Sequence, residues 1–127
     1  MKSTLVQGEP MDPVRFLKMK QAFDRSGGLI EQSEDIVRFL DYRDAEAVTW
    51  NAKEIWLRTN PTASQVFEEF IHTAQYRTGK LHMGNRLEME IEAAQKLIRN
   101  RRAYGIPASE TLETIQRLRR MLETGEL

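Results

Sequence analysis

Residues 60–79, NPTASQVFEEFIHTAQYRTG, decide how the rest of the chain is read. Asn60 is placed to act as an N-cap, and Pro61 at the first helical position loses nothing by lacking an N–H. Gly79 tolerates positive φ and closes the far end. At about 100° per residue, Ala63, Val66, Phe67, Phe70, Ile71 and Ala74 fall on one broad apolar face. Beside that face Glu68, His72 and Gln75 follow one another at i, i+4, i+7, with Glu69 and Tyr76 across a shoulder. A carboxylate and an imidazole one turn apart suit a divalent metal or a proton transfer. The plain alternative is the Glu–His pair that many solvated helices carry.

Immediately upstream the period changes. Residues 47–59, AVTWNAKEIWLRT, alternate as strands do, with a turn near Asn51-Ala52-Lys53. The alternation puts Val48, Trp50, Ile55 and Leu57 on one pleat face and Thr49, Trp56 and Arg58 on the other, so the two tryptophans part company. Further back, Ser33 caps a helix through Glu46 with Ile36, Val37, Phe39, Leu40 and Tyr42 inward. Leu29 and Ile30 make a short apolar step suited to an edge strand. Asp12 and Pro13 open a first helix to Arg25, with Phe16, Leu17, Met19 and Phe23 as its apolar side. Residues 1–12, with Gly8 and Pro10, read as an irregular lead-in.

Downstream of Gly79 a loop carries His82. Residues 87–104, LEMEIEAAQKLIRNRRAY, form the next helix, broken by Gly105-Ile106-Pro107. On its wheel Glu88 and Glu92 point to the polar side, whereas Glu90 falls in the apolar sector between Ile91 and Leu97. An inward carboxylate is costly unless a cation, a metal or strong donors meet it. Glu68, His72 and Glu90 are therefore the candidate metal ligands, and Glu69 is left to act on water. The competing reading pairs Glu90 with Arg86 or Arg101. A last helix starts at Ala108 or Ser109 and stops at Gly125. Its stripe of Leu112, Ile115, Leu118, Met121 and Leu122 reads as core, with Arg117, Arg119 and Arg120 on a solvated face.

At 127 residues the chain holds one domain's worth of core, taken as residues 13–127. Lys+Arg and Asp+Glu number 19 each, so no global field recruits nucleic acid or anionic lipid. Cysteine is absent, which excludes disulfides, thiolate metal sites and a cysteine nucleophile. No apolar run reaches the roughly 20 residues of a membrane span, and the N-terminus lacks the apolar core of a secretory signal. The expected location is the cytoplasm of the producing cell, with any export needing machinery other than a signal peptide. The fold class is α+β, mainly helical, with a small β-hairpin or sheet leading into the central helix.

Phe67-Glu68-Glu69-Phe70-Ile71-His72, Gln75, Glu90-Ile91-Glu92-Ala93, Leu97-Ile98-Arg99-Asn100 and Tyr104-Gly105-Ile106-Pro107 together resemble a zincin-type metallopeptidase. The likeness is to small zincin-like domains at the ends of bacterial polymorphic toxins and phage-associated proteins. In zincins the motif H-E-x-x-H supplies two histidine ligands, its glutamate activates water, and a glutamate on a following helix completes the site. The resemblance implies His72 as second histidine ligand, Glu69 as general base and Glu90 as downstream ligand. Glu68 stands where the first histidine belongs, which makes the set harder and more anionic. It further implies Zn²⁺ or another divalent metal, support from Gln75 or Tyr76, a protein substrate and a cognate immunity protein, with His82 able to swing in as a fourth ligand. Two other readings stay open: a catalytically inactive zincin-like interaction module, and a nuclease or nucleic-acid-binding domain using Arg99, Arg101, Arg102 and the last helix's Arg117, Arg119 and Arg120. Zero net charge and the lack of interleaved aromatic and basic residues speak against the last.

Overall fold

The computed structural model describes residues 8–80 and 84–127, so His82 lies outside the described residues. Five helices and three strands follow one another as α1 (Pro13–Arg25), β1 (Leu29–Glu31), α2 (Glu34–Arg43), β2 (Ala47–Asn51), β3 (Glu54–Leu57), α3 (Ala63–Arg77), α4 (Arg86–Arg99) and α5 (Ala108–Thr124). The fold is α+β, mainly helical, with a small mixed sheet. No described helix is long and apolar enough to cross a membrane.

The sheet order is β1-β3-β2, with β1 parallel and β2 antiparallel to β3, so the Leu29-Ile30 step is an edge strand. Val48 pairs with Trp56 and Thr49 with Ile55. This overturns the expected division of the hairpin. Trp50 and Trp56 share a face, in edge contact at 5.1 Å and packed with Phe39 of α2. Thr49, Ile55 and Leu57 point the other way, toward α3. The cause is an irregularity between Thr49 and Asn51. The closing pair Asn51–Glu54 would by itself set Trp50 opposite Ile55; the slip of one residue exchanges the faces.

Helix α3 begins two residues later than expected. Asn60 is not its cap but sits at φ 52°, a conformation asparagine tolerates. Thr62 is the cap: its hydroxyl accepts from Gln65 N at 3.2 Å, and the Gln65 side chain accepts from Thr62 N at 3.1 Å. This reciprocal pair satisfies two free amides. Just upstream, Met11 N donates to Pro61 O and the Met11 side chain is buried, which ties part of the lead-in to the core.

Val66 and Ile71 of α3 pack with Ile55, Leu57, Ala93, Leu97 and Phe23 in one cluster. Sheet and α4 together enclose α3, so Glu69, His72, Thr73 and Gln75 are buried with its apolar residues. Helix α4 stops at Arg99 and turns through residues 100–105 instead of running to Tyr104. Several residues expected inside are exposed: Leu17, Tyr42, Leu112, Ile115 and Leu122. Helix α5 buries Met121 as expected, together with the polar residues Glu110, Thr111 and Thr114.

Candidate metal centre

Helices α3 and α4 pack against each other and bring three side chains together. His72 Nε2 lies 3.4 Å from Glu90 Oε2 and 3.8 Å from Glu68 Oε2. One ligand atom from each of the three falls within 4.8 Å of the others. The inward wheel position of Glu90 is thus met by His72, and among the described residues neither Arg86 nor Arg101 pairs with it; Arg101 Nη1 donates to Ile98 O.

The other imidazole nitrogen is fixed by Gln75. Gln75 Nε2 donates to Met89 O at 3.1 Å and to Glu92 Oε1 at 2.7 Å, which uses both of its hydrogens. Its Oε1 is then an acceptor facing His72 Nδ1 at 2.8 Å. Nδ1 must carry a proton, so in the neutral ring the lone pair sits on Nε2, between the two carboxylates. Glu92, expected on the polar side, instead closes this chain and also meets Lys80 at 3.5 Å.

Two partners came from elements with no sequence signal for the site. Arg117 of α5 donates to Glu68 Oε1 at 3.3 Å. Thr49 of β2 donates to Glu69 Oε1 at 2.6 Å. Arg117 looked like one of several solvated arginines, and Thr49 like an ordinary strand residue. Only the packing of α5 and β2 against α3 distinguishes them.

Charges follow this geometry. Burial works to raise the Glu68 pKa, but His72 and Arg117 outweigh it and hold the carboxyl below its usual range. Burial, then the Glu68 charge, pushes Glu69 up to about 7, against the Thr49 bond. Burial disfavours a charged His72, yet the bonds to Glu68 and Glu90 raise it to about 11. Without a metal the imidazole therefore holds a proton between two carboxylates. A cleft of about 510 Å³ opens on the cluster, lined by Glu68, Glu69, His72, Tyr76, Arg86 and Glu90, by Arg43, and by β2 from Ala47 to Trp50.

Among protein-family models, curated proteins and solved structures, none matches this chain.

Proposed function

We propose that the cluster is a divalent-metal centre for hydrolysis of a peptide-type bond, in the manner of a zincin with Glu68 in place of the first histidine. The observation that supports it most is the Gln75 bond to His72 Nδ1, which leaves Nε2 as a ligand atom aimed between Glu68 and Glu90. One imidazole and two carboxylates suit Zn²⁺ and harder divalent ions alike. A dication there replaces the His72 proton as the charge that the carboxylates surround. The ion would supply Lewis-acid polarisation of the scissile carbonyl and of water.

The chain's own groups do the rest. Thr49 holds Glu69 Oε1, leaving Oε2 to take a proton from the attacking water and pass it to the leaving amine. A pKa of about 7 allows Glu69 both roles near neutrality. Arg117 keeps Glu68 ionised and oriented, and Gln75 does the same for the ring of His72.

Calorimetric titration with Zn²⁺, with thermal shifts on adding Zn²⁺ or EDTA, tests the centre. Uptake of one ion and a rise in Tm are expected. No uptake would leave the second reading, a zincin-like interaction module whose polar cluster is structural. That reading draws on the metal-free network, in which His72 already meets two carboxylates and Glu68 already meets Arg117. Glu69→Gln should keep the metal and lose hydrolysis. The toxin role implied by the family resemblance predicts growth arrest on expression, relieved by the same variant.

A further inference from the structure

Beyond the ligands, the two helices of the centre carry a second matched pair. Tyr76 stands one turn past His72 on α3, and Arg86 one turn before Glu90 on α4. Both line the cleft. Neither phenol nor guanidinium has a hydrogen-bond or ion-pair partner among the described residues, whereas Arg38, Arg58, Arg117 and Arg119 all have one. Helix stability does not account for Arg86, because the helix dipole disfavours a cation in a first turn. Arg43, lying over the Phe39 ring, adds a second guanidinium to the cleft wall.

Arg86 stands one turn from Glu90, about 5.4 Å along α4, against about 3.3–3.6 Å per residue of extended peptide, and Arg43 lines the same cleft. Guanidiniums on a cleft wall beside the centre attract a carboxylate of the substrate. Building on the metal-centre reading, we propose that Tyr76 and Arg86 clamp a substrate carboxylate one or two residues from the cleaved bond. The planar guanidinium of Arg86 offers a carboxylate two parallel N–H donors, and the Tyr76 hydroxyl on the wall of the same cleft offers a third. The carboxylate is either an acidic side chain or the peptide's free C-terminus.

The experiment uses the full chain loaded with Zn²⁺ and three short acetylated peptides: alanyl-glutamate amide, alanyl-alanine with a free C-terminus, and alanyl-alanine amide. Binding is read by NMR titration, including the Arg86 Nε–H signal. At least one carboxylate peptide is expected to bind about tenfold or more tightly than the neutral amide. Comparison of the two carboxylate peptides identifies the source. Arg86→Met should abolish the preference and leave Zn²⁺ affinity unchanged; Tyr76→Phe should weaken it. Arg86 is exposed, so its replacement threatens no core packing. Equal binding of all three peptides, or a preference that survives Arg86→Met, overturns the clamp while the metal centre stands. Failure to take up Zn²⁺ overturns the metal-centre reading, and with it this inference.

Discussion

At the scale of single residues, the cluster ties stability to pH in a definite direction. Glu69 and His72 both have folded pKa values above their ordinary ones. Each contributes stability that is complete below its unfolded value and is lost as pH rises through the folded one. The windows run from 4.5 to about 7 for Glu69 and from 6.5 to about 11 for His72. Glu68 is shifted down, so its contribution is present above 4.5 and fades as pH falls through the lowered value. Urea unfolding of metal-free protein should therefore show stability declining from about pH 5 to about pH 11. A rising profile would contradict the buried proton between the carboxylates. Zinc must displace that proton, so its affinity should climb by about tenfold per pH unit across neutrality, with a proton released on binding. Replacing Thr49 with valine removes the one hydroxyl bond that restrains Glu69, and its pKa should move above its present value in a carboxyl-¹³C titration.

At the scale of elements, Gln75 joins α3 to α4 through two bonds and holds His72 within α3 by a third, and the residue is 2% exposed. Gln75→Leu frees the imidazole to turn and takes a donor from Glu92. Zinc affinity should fall by about 10–100-fold, measured by competition with a chelator. Thr62→Ala removes the capping box and should cost about 1 kcal/mol in urea unfolding. These two residues mark how legible the elements were. The helices, the edge strand and the hairpin could be read from period and punctuation, and the Glu68-His72-Glu90 grouping from two helical wheels. The start of α3 was misplaced because Asn60-Pro61 imitates a cap, while Thr62 and Gln65 carried the true T-x-x-Q signal three residues apart. Alternation within each strand is as expected, but the faces of β2 are matched to the opposite faces of β3, because a one-residue irregularity leaves no local mark yet shifts the pairing by one. Thr49 became a partner of Glu69 through that shift.

At the scale of the whole molecule, one apolar cluster supports both the sheet and the site. Leu97 is 1% exposed within it, so Leu97→Ala should cost about 2–5 kcal/mol and loosen the α4 ligand with the core. Helix α5 is where sequence periodicity misled most. Of the stripe that a wheel assigns to the interior, Met121 is buried and Leu118 half-buried, but Leu112, Ile115 and Leu122 are exposed, and polar Glu110, Thr111 and Thr114 are buried. Glu110 Oε1 accepts from Ser64 N at the start of α3, and Arg117 reaches Glu68. Long-range polar contacts of this kind have no period, so no wheel can display them.

That placement of α5 has a consequence in time. The ligands on α3 and α4 leave the ribosome before the helix that pins Glu68 and closes off the first turn of α3. Until residues 110–117 have been made, Glu68 lacks its guanidinium and Ser64 N its carboxylate, and a nascent chain holds only a partial centre. The complete cluster of side chains therefore waits for α5, which makes it a property of the folded domain and not of the growing chain.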